Sequence, residues 1–405
     1  MLNRFAGVGI MGVACILGSS CDSGAVRSTA VVRDSAGIRI VENTAPLCQT
    51  DEVWSIAPEP LVDIGHVDDP EQQLFRVSAA TRLSDGRIVI GNSGSSQLRF
   101  YDASGNHLMD VGRQGRGPGE FQYVGRPVRG TDDTLHVQGG FNRVLTFDAD
   151  GNFVRETPAG YMGLFERPWL TEGGRLMPDR TWLLWLYENV MDRPQGAYRP
   201  ILGFIRFDPA TGAQDTLGWF RSGMHEQVGE ETRWVAFSPN STAGWSSRHM
   251  YAGDSRTWSI HAYGWDGRLS HIVRMDTQPQ PVTAEMKDEF RRSFLDRVAS
   301  DPRQAANMAM YERTMANLPW AETLPAWRDL RGDEAGNLWV SEDAGTGAST
   351  NWNVFGPDGQ WLTPIGLPDG VRILELGDDY LLGLWLDELD IEHVRMYDIV
   401  KANCS

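Results

Sequence analysis

The stretch "LSDGRIVIGNSGSSQLRFYDASGNHLMDVG", residues 83–112, carries the frame on which the rest of the chain is built. It opens on a DG turn and runs through a β-rich segment, a polar loop and a second β-rich segment that ends in an aromatic residue plus Asp. A tight turn and a short apolar segment follow. Alternating apolar residues bounded by Gly, Asn, Asp and Ser read as strands joined by hairpins. The frame returns at residues 132–158, 179–218, 249–275 and 334–366, and a sixth copy at 369–398 stops before its final strand.

One aromatic anchors each copy: Tyr101, Phe147, Phe207, Tyr263, Phe355 and Tyr397, spaced 46, 60, 56, 92 and 42 residues apart. Spacings near 40 to 50 with about four strands per unit are what radially repeated sheets require. The 92-residue gap is one unit plus an insertion at 282–318. There "VTAEMKDEFRRSFLDRVAS" places Met286, Phe290, Phe294 and Val298 at helical spacing. "DPRQAANMAMYERTM" then begins with Asp301 as N-cap and Pro302 at the first helical position. A helical hairpin is expected between the fourth and fifth copies.

The truncated sixth copy leaves a free sheet edge unless a strand arrives from elsewhere. "LVDIG" at 61–65 repeats "LMDVG" at 108–112, and each is followed by a phenylalanine, Phe75 or Phe121. The N-terminal region is therefore expected to supply the missing outer strand. Cys404, just past the third strand of copy six, and Cys48, upstream of the borrowed strand, then fall on one rim, and a disulfide across that seam is expected.

These copies resemble the six-bladed β-propellers of the NHL type, and more closely the propellers of secreted proteins from environmental bacteria. "VGRQGRGPGEF" matches that family's Gly-rich stretch with its terminal Phe, which links one blade's outer strand to the next blade's inner one. The resemblance spans residues 53–398 and implies an all-β six-bladed propeller with the helical hairpin inserted between blades four and five. It says little of activity, because the family holds binding modules, lyases and hydrolases alike.

The glycine stretch deserves separate weighing as a phosphate loop. Gly112, Gly115, Gly117 and Gly119 run GxxGxGxG with Pro118 inside, and "EFQYVGRPVRG" after them has no helical period. A dinucleotide site needs a helix N-terminus there, so the glycines read as a crossing between blades. Arg113 and Arg116 remain candidates for an anionic ligand, and Asn142, Arg143, Trp258 and Trp352 for ligand contacts on the same loops. "DADGN" at 148–152 and "DASGN" at 102–106 lack the later ligands of a calcium loop and read as hairpin turns. As an alternative to binding, metal-dependent hydrolases of the gluconolactonase type place a Glu, two Asn and an Asp at the channel mouth. Asn92, Asn142, Asp254, Glu342, Asp343, Asp387 and Glu388 could supply such a calcium set. Neither H-E-x-x-H nor G-x-S-x-G is present.

The formal charge of −17 argues against nucleic acid and anionic lipid surfaces as partners. "MLNRFAGVGIMGVACILGSSC" has one basic residue, an apolar run too short to span a bilayer, then small residues and a cysteine, which is an export-signal layout over residues 1–20. "LGSSC" resembles a lipobox with its Leu one place early, so Cys21 is the candidate lipidation site and any membrane association would run through that anchor. Residues 21–52 read as a tether and lead-in, and 53–405 as a single domain. The expectation is a monomeric, secreted or envelope-held propeller that binds a protein, peptide or glycan, without a cofactor unless the calcium alternative holds.

Overall fold

The computed structural model describes residues 30–48, 53–66, 69–161, 164, 169–188, 190, 193–300, 302–342 and 350–402. Among the described residues six sheets follow one another along the chain, each with four antiparallel strands in sequence order or, in the last, three; in the third, Gly196–Tyr198 intervenes and belongs to a separate three-stranded sheet. The first holds Val77–Arg82, Ile88–Asn92, Gln97–Tyr101 and His107–Val111. The second runs from Pro127–Arg129 to Phe153–Pro158, and the third from Trp169–Leu176 to Gln214–Arg221. The fourth spans Ser241–Trp245 to Leu269–Met275, the fifth Leu330–Gly332 to Trp361–Gly366, and the sixth Arg372–Leu376, Tyr380–Leu386 and Glu392–Val400. This is a propeller-like all-β fold.

Burial explains the strand order. In the first sheet Ile88–Asn92 is buried along its whole length, whereas the outermost His107–Val111 alternates between partly buried and exposed side chains. A strand covered on both faces reads as a continuous apolar run, and one facing water on one side alternates. The six repeating aromatics are all buried, at 0 to 4% exposure. They sit in apolar clusters that lie between sheets rather than within one. Phe100, Phe121 and Phe147 belong to the cluster of the first and second sheets, and Phe204 and Tyr263 to that of the third and fourth. A further cluster joins Ile88 and Tyr101 of the first sheet to Leu382 and Met396 of the sixth.

The sixth sheet receives the strand expected from the N-terminal side. Val62–Ile64 pairs antiparallel with Val394–Met396, and Ser55–Ile56 pairs with Ile399 and Val400. The glycine stretch forms a crossing between the first and second sheets. Gly112 and Gly119 hold φ of 86° and 72°, and a Cβ on Gly112 would sit 2.4 Å from the Phe121 ring. Phe121, fully buried, is the wedge that the crossing delivers. The turns at 102–106 and 148–152 are closed by their own carboxylates: Asp102 accepts from Ser104 N at 2.8 Å and Asn106 N at 2.9 Å, and Asp148 repeats the pattern.

Helices Ala284–Ser300 and Met308–Ala316 occupy the expected region, joined by the short Pro302–Ala305; Asp301 lies outside the described residues. Phe290, Phe294 and Leu295 pack on Ala236, Met315 and Leu318. Phe290 also meets Trp234 and Phe237 at ring separations of 5.9 and 5.3 Å. The helices thus cover the segment next to a small three-stranded sheet of Gly196–Tyr198, His225–Val228 and Glu231–Trp234. Among the described residues no helix is long and apolar enough to cross a membrane.

The region read as a tether differs from expectation. Ala30–Ser35 and Ile38–Asn43 form a hairpin, and the second strand pairs in parallel with Leu269–Met275, extending the fourth sheet to six strands. Ala36 and Gly37 make the turn with φ of 56° and 81°. Asn43, 1% exposed, then joins two sheets: its Nδ2 donates to the carbonyls of Arg274 at 3.2 Å and Gly359 at 3.0 Å, and its Oδ1 accepts from Trp361 N at 2.8 Å. Leu47 N and Cys48 N donate to Trp361 O and Leu362 O, both at 2.9 Å, along the outside of the fifth sheet. Asn43→Ala leaves two carbonyls and one N–H buried without partners, so a loss of about 2–3 kcal/mol is expected in urea unfolding. A change under about 0.5 kcal/mol would show that this joint carries no weight.

Candidate functional site

The first strands of the second to sixth sheets, with Ser84 from a loop of the first sheet, surround a cavity of about 750 Å³. Arg126 to Arg129 of the second sheet, Arg175 of the third, Gly244 and Trp245 of the fourth, Leu330 to Gly332 of the fifth and Ile373 to Leu376 of the sixth line it. The loops from first to second strand form its mouth, through Ser84, Thr131, Asp132, Asp179, Ser247 and Glu334. That mouth lies on the rim opposite the glycine crossing, which joins a fourth strand to the next first strand. No residue of the helices lines the cavity, among the described residues.

The wall has two layers of charge. At the mouth, carboxylates are matched by arginines: Arg129 pairs with Glu334 and reaches Asp133 at 3.8 Å, and Arg206 holds Asp179 at 2.9 Å. Deeper, Arg126, Arg175 and Arg331 come from three different sheets. Arg126 donates to the Leu374 carbonyl, Arg331 pairs with Asp329 at 2.9 Å, and Arg175 lies 5.4 Å from the Trp185 ring centroid. Glu375, the carboxylate in this layer, is already committed. It accepts from the Thr81 hydroxyl, from Arg82 N at 2.9 Å and from Tyr380 Oη at 2.7 Å. Burial, then the neighbouring Arg331 and Arg175, pushes Arg126 down to about 10. Burial and Arg331 likewise lower Arg175.

Residues singled out in the sequence are dispersed. Arg113 is spent on Glu120, at 2.7 Å, and Glu120 also accepts from Gly117 N at 2.8 Å, so this pair closes the glycine crossing itself. Arg116 faces the Gln122 side-chain amide, whose oxygen accepts at 3.1 Å when turned toward it. Arg143 pairs with Glu156 at 2.6 Å, and Asn142, at φ 58°, accepts from Gly160 N at 2.9 Å. Trp352 is 6% exposed within the cluster of the fifth and sixth sheets. Trp258, equally buried against Phe355, shows one edge to a second cavity of about 1360 Å³ beside residues 274–280 and 320–326. Both tryptophans serve the core, because their wide rings fill the gap between sheets.

The calcium candidates do not converge. Asn92 accepts from Phe75 N at 2.8 Å, Asp254 is clamped by Arg199 at 2.7 Å, Glu342 accepts from Asn353 at 3.0 Å and Asp387 caps its own turn through Leu389 N and Ile391 N, both 2.8 Å. Asp343 lies outside the described residues. Among the described residues no three His, Cys, Asp or Glu side chains gather around one point.

The arginine layer escaped the sequence reading because the copies were framed from the turn onward, leaving out each first strand. A register signal was present: Arg175 pairs with Leu183 and Arg331 with Trp339, each opposite the second residue of its second strand. Arg126 lies two residues before Val128, the matching position of the second sheet.

Comparison with known proteins places little beside this geometry. No family model matches, and no curated protein matches. Solved structures that superimpose include a putative exported protein of Bacteroides fragilis, 12% identical, TM-score 0.45, covering 89% of this chain and 99% of that one. A calcium-binding protein, regucalcin, of Agrobacterium tumefaciens is 12% identical with TM-score 0.38, over 86% and 97% of the two chains. Virginiamycin B lyase of Staphylococcus aureus is 8% identical with TM-score 0.37, over 84% and 98%.

Burial pushes His136 and His271 down to about 4, and lowers His249 and His261. A base with a folded pKa below its unfolded value of about 6.5 is protonated more in the unfolded chain across that window, so stability falls as pH drops from about 6.5 toward about 4. Urea midpoints should therefore decline over this range in the wild type and decline less in a His136→Gln, His271→Gln variant. Equal slopes would mean that these rings do not drive acid unfolding.

Proposed function

We propose that the chain is an exported six-bladed propeller of the NHL type that recognises a ligand in its axial cavity and does not transform it. The observation that carries the reading is the cavity itself: a space of about 750 Å³ lined by first strands, with charged side chains deep inside and a polar mouth. Cavities of this size with a few convergent polar groups are where ligands bind. Its lining, among the described residues, contains no His, Cys, Lys or Tyr; its hydroxyls and carboxylates include Ser84, Ser246 and Glu375, the last held by Thr81, Arg82 N and Tyr380. The volume suits a small molecule or the terminal group of a peptide or glycan. In this reading the helical hairpin is an insertion between blades four and five, and export follows from the N-terminal layout, with Cys21 as its lipid-bearing residue. The calcium alternative has no comparable feature among the described residues.

Thr131 and Ser247 are exposed at the mouth, so Thr131→Trp with Ser247→Trp narrows it without changing charge. Arrays of acidic, neutral and basic peptides and glycans should retain signals with the wild type that this variant loses. Signals unchanged by the variant would move recognition away from the cavity.

We further propose that Cys48 pairs with Cys404. Cys48, 1% exposed, lies in one apolar cluster with Trp54, Ile399 and Ala402, so both chain ends meet there; Cys404 lies outside the described residues. A bridge closing a loop of several hundred residues would add up to about 5 kcal/mol in the chain-entropy model. Non-reducing peptide mapping of the mature protein should yield a linked Cys48–Cys404 fragment, and recovery of both as free thiols would refute the bridge.

A further inference from the structure

We infer that the deep layer of the cavity is an oxyanion site, in which Arg126, Arg175 and Arg331 hold the phosphate, sulfate or carboxylate group of a ligand coming in through the loop rim. The inference rests on the cavity reading proposed above and names the chemistry of its occupant. Three guanidinium groups from three separate sheets face one space, in a protein whose formal charge is −17. Like charges brought together in a partly enclosed space repel, and a chain with so many carboxylates could have separated or paired them. It does so at the mouth, where Arg129 and Arg206 each have carboxylate partners. In the deep layer, among the described residues, Arg331 alone has one within ion-pair distance, Asp329, and its Nε finds no acceptor.

Glu375 does not fill this role, since Thr81, Arg82 N and Tyr380 converge on its two oxygens. Arg126 spends one N–H on a neutral carbonyl, that of Leu374. Arginine is the side chain whose planar fork matches the oxygens of carboxylate and phosphate, and several such groups around one anion give both charge and orientation. Both Arg126 and Arg175 stay charged at neutral pH, but repulsion from Arg331 and Arg175 adds to burial in lowering Arg126, and repulsion from Arg331 adds to burial in lowering Arg175. An anion between them would relieve that repulsion. At the mouth Glu334 and Asp133 stand beside Arg129, and Asp179 beside Arg206, which offsets their charge toward such a ligand.

The test uses the full mature chain and three probes: inorganic phosphate, sulfate and succinate, at low millimolar concentration and constant ionic strength. Isothermal titration and thermal shift should show saturable binding of at least one probe, and the strongest probe identifies the oxyanion source. Arg175→Gln and Arg331→Gln are each expected to weaken it at least about tenfold, with Arg175→Lys intermediate because charge is kept and the fork is lost. Circular dichroism and a cooperative melt confirm that each variant is folded; a variant that fails to fold is replaced by its Lys counterpart. No saturable binding of any probe, or binding unchanged in both glutamine variants, overturns the anion site. If array ligands are lost in the Thr131→Trp, Ser247→Trp variant but kept in both glutamine variants, the cavity reading stands and the oxyanion assignment fails. If neither set of changes affects them, both fail.

Discussion

The antiparallel pairing of Val62–Ile64 with Val394–Met396 is the contact on which the rest of the molecule depends, because it covers the edge that the three C-terminal strands would otherwise present. The segment around it is reinforced on both sides. Leu61 N donates to Met396 O at 2.7 Å and Ala57 N to Asp398 O at 2.9 Å. Asp63, on the closing strand, takes Arg395 at 2.9 Å and His393 at 2.7 Å, and Arg395 in turn lies over the Trp385 ring at 3.5 Å. These partners stand more than 300 residues apart in the chain. Loop closure on that scale costs entropy, which the intervening sheets reduce by bringing the two chain ends together.

The same N-terminal segment does more than close one edge. From Ile38–Asn43 on the fourth sheet it passes along the fifth through Leu47 and Cys48 and reaches the sixth at Ser55–Ile56. Asn43 marks the passage from one sheet to the next, with hydrogen bonds to each. The cost of this arrangement is a new edge at Ala30–Ser35, where Val31 and Val32 are exposed. Arg33 and Asp34 on that strand, with Arg33 paired to Glu42 at 2.7 Å, make it a poor template for a second chain.

Much of the fold was legible because its signals are local and repeated. Each anchor aromatic follows an alternating strand and precedes an Asp- or Gly-led turn, and all six are buried where the frame put them. The closing strand was legible through its likeness to residues 108–112. The hairpin at 30–43 was not recognised, although "VVRDSAGIRIVEN" alternates around an Ala-Gly turn, because it has no counterpart in the other copies and its strand pairs in parallel. Arg113 and Arg116 drew attention by standing in a conspicuous glycine stretch. Arg113 instead balances Glu120, a partner seven residues away in the same stretch. Trp258 and Trp352 border loops in the sequence, yet both rings are buried against a neighbouring sheet.

Where chemistry can reside follows from how such a body is packed. The apolar clusters lie between adjacent sheets, each drawing side chains from two of them. The first strands meet at the axis with a gap of about 750 Å³ between them, too wide for their side chains to fill. The space opens at the loop rim, and charged side chains stand on its wall rather than in the clusters between sheets. Val128, Leu330, Ile373, Leu374 and Leu376 line the cavity and also belong to those clusters, whereas the three arginines belong to none of them. Arg126, Arg175 and Arg331 occupy that wall, whereas Phe100, Trp182 and Trp339 occupy the packed layers beside it. Arg126 ties the second sheet to the sixth through the Leu374 carbonyl, and an anion between the three arginines would give the rest of their proximity a physical reason.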